Sequence, residues 1–375
     1  MKIIESSDKY GYIVSSDDSG QVKALDSKNY HYRFQLSDGL MLSWGKTVDE
    51  DPGRCPVPNI LDMEISTKCW KAGNKEAGLP SAGAHCPFCY KSNNSNGEVM
   101  SFETFKHIFD VQSKGLTQIA FGSGFYGIEN PDVYKMMDYC REHGVVPNIT
   151  VGAVTDETAD EFAKRIGAIA ISVYADTKDI AYDSVKRMTD RGIKQTNIHF
   201  MICEETFDRC MEVLNDIKTD PRLDKLNAIV MLSLKTKGRG ASGEFHSLSQ
   251  DKFNEICKFA MDNHIGLGFD SCSSLKAARA MDGKFRNSII PCESAGIESS
   301  YISVKGMYYP CSFSEGVKTD EVDWTEGIDV LACNNTEEFL DKVWNGDKTL
   351  TTQKMIYDTC KCNECNIRTC PFYKV

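Results

Sequence analysis

The residues of this sequence best able to do chemistry are its 16 cysteines, and their spacing sorts them into groups. Cys69 stands alone in STKC, and Cys86 and Cys89 follow after an intervening stretch, residues 70–85, as the C-x2-C of CPFCY. A second group closes the chain: Cys292, Cys311, Cys360, Cys362, Cys365 and Cys370. Cys140, Cys203, Cys210, Cys257 and Cys272 occur singly in apolar or helical surroundings and read as small core residues; Cys55 and Cys333 read as structural too. In a reducing compartment so many cysteines are not a disulfide framework, so some must bind metal. The thiolates of Cys69, Cys86 and Cys89 leave one position of a metal site open. His85 would complete a closed Cys3His zinc site. Alternatively the three hold a [4Fe–4S] cluster with one iron free for a small-molecule chelator.

The elements that must position these groups follow from periodicity. A length of 375 residues suits a barrel-sized domain with an appendage. Residues 1–58 carry short alternating runs broken by Asp-Ser, Ser-Gly and Asp-Gly pairs, a β-rich leader that caps the barrel floor or offers a docking edge to a peptide. From residue 59 strand-like runs (NILDMEIS, TQIAFG, VPNITVG, AIAISVYA, TNIHFMI, NAIVMLSL, IGLGFD) alternate with helical ones, the first helix capped by Ser101. That alternation predicts a parallel α/β sheet, open or closed into a barrel. No G-x-G-x-x-G follows the first strand, so dinucleotide binding loses its main support. In a β/α barrel the chemistry gathers at the carboxyl ends of the strands, where the Cys69–Cys89 loop falls. After about residue 280 the rhythm stops, and a hairpin about Gly306 leads to a tail that is nearly all cysteines and small polar residues. Its apolar content predicts no large core and a dependence on metal. The expected domains are 1–58, 59–280 and 281–375. A net charge of −11 argues against nucleic acid, no apolar run is long enough for a bilayer, and the N-terminus lacks a secretory pattern, so a cytoplasmic chain is expected.

STKC with CPFCY is similar to the C-x3-C-x2-C signature of the radical S-adenosylmethionine superfamily, with residues 70–85 as an insertion and Phe88 as the aromatic before the last cysteine. Gly122, Ser123 and Gly124 of AFGSGFYGIENP stand where the superfamily has its Gly-Gly-Glu-Pro stretch; Phe125 and Tyr126 replace the Glu-Pro, and whether Glu129 supplies the carboxylate is open. The C-terminal segment resembles the SPASM or Twitch auxiliary-cluster domains: Cys292 precedes the hairpin, Gly306 and Cys311 make a G-x4-C, and Cys362, Cys365 and Cys370 compete for the remaining places.

The resemblance implies a partial (β/α)6-type TIM barrel with a small cysteine-rich C-terminal auxiliary-cluster domain. It also implies a [4Fe–4S] cluster on Cys69, Cys86 and Cys89, S-adenosylmethionine held by Phe88, Gly122, Ser123, Gly124 and Ser172, and one auxiliary [4Fe–4S] cluster. The activity implied is that of an oxidoreductase or maturase. An electron from a donor such as flavodoxin or ferredoxin splits S-adenosylmethionine, and the 5′-deoxyadenosyl radical takes hydrogen from a substrate. A peptide or protein substrate is expected, with a sugar or alcohol dehydrogenase as the alternative. Lys235 and Arg239 either hold a substrate carboxylate or phosphate or stand solvated in their loop. Tyr126, Tyr174 and Cys272 read as packing residues that could also exchange hydrogen atoms. Two further readings stay open: a zinc-binding scaffold without activity, and an iron–sulfur enzyme that does not use S-adenosylmethionine.

Overall fold

The computed structural model describes residues 1–281, 289–359 and 367–373. The leader is a five-stranded antiparallel meander, β1 (Lys2–Ser7), β2 (Tyr12–Ser16), β3 (Val22–Ser27), β4 (His31–Gln35) and β5 (Met41–Trp44). One face carries Val14, Leu25, Tyr32 and Phe34 into the main core. Its polar contacts go to the amino-terminal ends of the strands that follow. The Lys23 ammonium donates to the carbonyls of Leu116 (2.7 Å) and Gly144 (3.0 Å), and Tyr32 Oη lies 3.1 Å from Thr117 Oγ1. The meander therefore sits at the end of the sheet opposite the cysteine loop.

Seven parallel strands then lie side by side in chain order: β6 (Ile60–Glu64), β7 (Gln118–Gly122), β8 (Val146–Val151), β9 (Ala168–Ser172), β10 (Gln195–Ile202), β11 (Ala228–Ser233) and β12 (Leu267–Phe269). Helices α1 (Phe102–Asp110), α2 (Val133–Glu142), α3 (Asp156–Ala163), α4 (Lys178–Asp190), α5 (Phe207–Thr219) and α6 (Gln250–Asp262) alternate with them. Ser101 caps α1 by accepting from Thr104 N (3.1 Å), which satisfies an amide the helix itself leaves open. Each strand has two unlike faces. On β10, Thr196, Ile198, Phe200 and Ile202 are buried beneath the helices, while Gln195, Asn197, His199 and Met201 keep access on the other side. On this strand the inner face is thus largely polar and the outer face joins the core, whereas on β11 the accessible positions are Ala228, Val230 and Leu232.

The C-terminal part departs from expectation. A helix, α7 (Ser274–Ala280), follows β12 after the short turn Ser271–Ser273. Strand β13 (Ser299–Ile302) pairs parallel with β6 on its free side, and β14 (Met307–Tyr309) returns through a turn in which Gly306 takes a φ of 78°, a value open to glycine at little cost. Two short strands, β15 (Val317–Lys318) and β16 (Asp323–Trp324), pair with each other, and β17 (Ile328–Asp329) pairs with β14. The large sheet thus reads β12-β11-β10-β9-β8-β7-β6-β13-β14-β17 and stays open among the described residues. Helices α8 (Thr336–Phe339) and α9 (Asp347–Asp358) complete the segment. Trp324, Phe339, Val343 and Trp344 are fully buried in the same core as the parallel sheet, and Trp344 Nε1 donates to Cys55 O (3.2 Å). The segment thus builds no large core of its own and packs into that of the sheet. Among the described residues no helix is long and apolar enough to cross a membrane.

Candidate functional site

The wide gap between Cys69 and Cys86 closes on itself. Asn74 and Leu79 exchange both backbone hydrogen bonds (3.0 and 2.8 Å), and Ala82 N donates to Lys71 O (2.8 Å). The insertion is therefore a small hairpin whose ends meet, so its length costs little in bringing the cysteines together. Leu79 and Ala82 pack on Phe125, Tyr126 and Ala153, with Cys69 and Trp70 against the same cluster, and Tyr126 Oη donates to Pro80 O (2.6 Å). Lys71 is a buried cation: its ammonium donates to Ala84 O (2.7 Å) and to the Asp176 carboxylate in the loop after β9. Lys71→Met is expected to leave the core intact and free the hairpin. Loss of these two bonds should raise amide hydrogen exchange at Leu79 and Ala82 by about tenfold or more. Unchanged exchange in peptides covering 70–85 would show that the apolar cluster alone holds it.

All three thiols are free. Burial first, then the nearby Glu129 and Cys89, pushes the Cys69 thiol up, and burial first, with smaller contributions from Cys89 and Cys69, pushes Cys86 up, so the three are in electrostatic range of one another. Cys86 reaches about 11, against the pull of the Lys71 ammonium. Arg239 staples the C-x2-C turn. Its Nε donates to Cys86 O (2.8 Å), its Nη1 to Asn93 O (3.2 Å) and its backbone N to Cys89 O (3.0 Å). Two of its guanidinium donors are thus committed to backbone carbonyls of the cysteine loop, which gives this half-buried side chain a positioning role there. Phe88 lies between Tyr174 and Phe245, with ring centroids 5.7 Å from each. Tyr174 stands beside both the Cys86 thiol and the Ser172 hydroxyl, so the end of β9 does reach the cysteine loop.

Gly122, Ser123 and Gly124 leave β7 beside Cys69. A Cβ at Gly124 would collide with Lys68 O and the Glu129 carboxylate, so only glycine allows this approach. Glu129, fully buried, folds back under the turn: its Oε1 accepts from Tyr126 N (2.9 Å) and Trp70 N (3.2 Å). Its Oε2 and Ser123 Oγ are buried without a partner, and such atoms need an explanation. The sequence offers Glu129 as a candidate carboxylate, but its five-residue separation from Gly124 does not reveal this fold-back.

A polar network crosses the inner face. Lys91 pairs with Glu64 (3.1 Å) and Glu315 and donates to Tyr301 Oη (2.7 Å). Asp62, one turn of the pleat below Glu64, has its carboxyl pushed up to about 6 by burial. Its folded value lies above the unfolded one of about 4, so stability falls as pH rises from about 4 to 6, and the cost persists above. Asp62→Asn is expected to stabilise the fold at pH 8 by on the order of 2 kcal/mol and to change little at pH 4; urea midpoints at the two pH values test this. An equal effect at both would mean that ionisation is not the cause.

Cys292 is buried, whereas Cys311 and Cys370 keep some access, and all three thiols are free. They lie within electrostatic range of one another. Cys362 and Cys365, with Cys360, lie outside the described residues. Tyr90, next to Cys89, packs on Phe313, next but one to Cys311, with ring centroids 4.7 Å apart, so the two cysteine groups are neighbours. Lys235 is buried and paired with Asp270 (2.9 Å), not solvated. Among the described residues no three His, Cys, Asp or Glu side chains close around one point as a single metal ion requires.

A mixed α/β fold built on a large parallel sheet, with cysteines at its carboxyl edge, is what the structure defines. No protein-family model and no curated protein matches the sequence. The fold is similar to that of SuiB from Streptococcus suis. The structure of SuiB bound to S-adenosylmethionine aligns with 83% of this chain and 72% of that chain, at 14% identity and a TM-score of 0.57. SuiB bound to the precursor peptide SuiA aligns with 84% of this chain and 75% of that one, at 12% identity and a TM-score of 0.58. At such identity the likeness is one of fold.

Proposed function

We propose that the chain is a radical S-adenosylmethionine enzyme, a partial barrel with a SPASM/Twitch-type C-terminal segment, that modifies a peptide. The observation that carries the reading is the hairpin that splices out residues 71–82 and sets Cys69, Cys86 and Cys89 together beside the buried, unpartnered Glu129 Oε2 and Ser123 Oγ. Three free thiolates can hold three irons of a [4Fe–4S] cluster and leave the fourth iron open to a chelating ligand. Such a cluster, when bound and reduced, supplies the electron that turns S-adenosylmethionine into a hydrogen-abstracting radical.

The chain's own residues then have distinct tasks. Gly122 and Gly124 allow close approach, Glu129 Oε2 and Ser123 Oγ offer acceptors to an ammonium group, and Phe88 and Ser172 both adjoin Tyr174 beside the Cys86 thiol. The hairpin, tied through Lys71 to Asp176 in the loop after β9, would serve to exclude water from the site. Peptide as the substrate class rests on the SuiA-bound neighbour and so on analogy of fold; a flavodoxin or ferredoxin would supply the electron. Equilibrium dialysis tests the cradle: iron-loaded protein is expected to bind one S-adenosylmethionine per chain saturably and the apo-protein far more weakly. Equal binding by both forms would count against it.

A further inference from the structure

Cys140, Cys210 and Cys257 are buried in the apolar core with no accessible surface, as a core role requires, and Cys203 is buried beside the Thr206 hydroxyl. Cys272 is not among them. It lies at the carboxyl end of β12, in the turn Ser271–Ser273, keeps accessible surface, and is a free thiol outside every apolar cluster. The expectation that it is a core residue is thereby corrected.

Its neighbours tie it to the C-terminal cysteines through three separate links. Arg368 O accepts both from Cys292 N (3.1 Å) and from Ser274 Oγ (3.5 Å), so the segments bearing Cys272, Cys292 and Cys370 meet at one carbonyl. Lys235 donates to Asp270 (2.9 Å) and lies 4.7 Å from the centroid of Phe313, which joins the Cys272 turn to the Cys311 turn. Tyr373 Oη donates to Phe313 O (3.1 Å), which joins the Cys370 segment to that same turn. Each bond involves a residue within four positions of a cysteine. The sulfur of Cys272 accordingly lies in electrostatic range of those of Cys311 and Cys370.

We infer that Cys272 is the fourth ligand of the C-terminal iron–sulfur site, with Cys292, Cys311 and Cys370. The inference rests on the iron–sulfur reading above. Four cysteines satisfy the four irons of a [4Fe–4S] cluster, so this site has no open iron for a substrate and acts in electron transfer or in shaping the pocket. Four thiolates bring more negative charge than the cluster core neutralises, and the buried Lys235 ammonium offsets part of it. Cys360, Cys362 and Cys365 are then not needed as ligands.

The test uses the full chain with Cys69, Cys86 and Cys89 all changed to alanine, so that only the C-terminal site takes iron. This background is expected to bind about four irons per chain. Adding Cys272→Ala should lower that to three or fewer, with the EPR signal of a three-iron cluster, while adding Cys362→Ala or Cys365→Ala should leave four. Cys272→Ser, which offers oxygen for sulfur, should alter the EPR spectrum of the reduced cluster, a change that a purely structural cysteine does not produce. Should the alanine variant fold poorly, the serine variant decides. Four irons and an unaltered spectrum in the Cys272 variants, with the loss moving to Cys362 or Cys365, would overturn the ligand assignment alone. Zinc in place of iron in the unmutated chain would overturn the iron–sulfur reading with it.

Discussion

Cys86→Ala is expected to lower S-adenosylmethionine cleavage to the level of a protein-free control and iron content by about four per chain. Burial holds Cys86 protonated at neutral pH, at about 11, so it is not a reactive cysteine in the absence of metal. Metal binding must displace that proton, and iron loading is therefore expected to improve as pH rises towards 9. The rest of the loop is already in place. Arg239 fixes the carbonyls on either side of the turn, so removing the sulfur leaves the backbone and takes away only the ligand. Cys257→Ala is the matched control, because that thiol is fully buried on α6 in the core. It should cost packing, on the order of 1 kcal/mol, and leave iron unchanged. Cleavage retained by Cys86→Ala would remove this residue from the site.

Glu129 gives the second large effect, and two substitutions separate its two duties. Glu129→Gln keeps an oxygen to accept from Trp70 N and Tyr126 N but places an amide where the unpartnered Oε2 stands. Affinity for S-adenosylmethionine should fall by roughly 10- to 100-fold, the range of a charged hydrogen bond, with iron content unchanged. Glu129→Ala also releases the backbone that carries Cys69, so iron content should fall as well. Equal affinity in the glutamine variant would mean that the ammonium group is held by backbone carbonyls of the glycine turn instead.

Local pattern carried much of the fold. The strands β6 to β12 alternate with helices at regular spacing, and Ser101 and Gly306 mark a cap and a turn that any sequence of their type would need. Long-range pairing was not legible. Nothing near residue 299 encodes that β13 joins β6, and the pairing of Asn74 with Leu79 rests on two bonds with no periodicity behind them. At the site, residue type was informative and partnership was not. Lys235 and Arg239 look like loop cations until the carbonyls and the carboxylate they bind come into view, and Cys272 is separated from Cys370 by almost a hundred residues of chain. Glu129 shows the same limit, since its value to the site lies in a fold-back that sequence spacing cannot express.

The most direct test of the central claim is anaerobic. The reconstituted protein is reduced with dithionite and given S-adenosylmethionine, and 5′-deoxyadenosine is measured by chromatography alongside iron and zinc per chain. The expected result is the nucleoside together with about eight irons, two clusters of four, and its disappearance in Cys69→Ala. Zinc bound at the cysteines with no nucleoside formed would contradict the account and leave CPFCY as a structural turn.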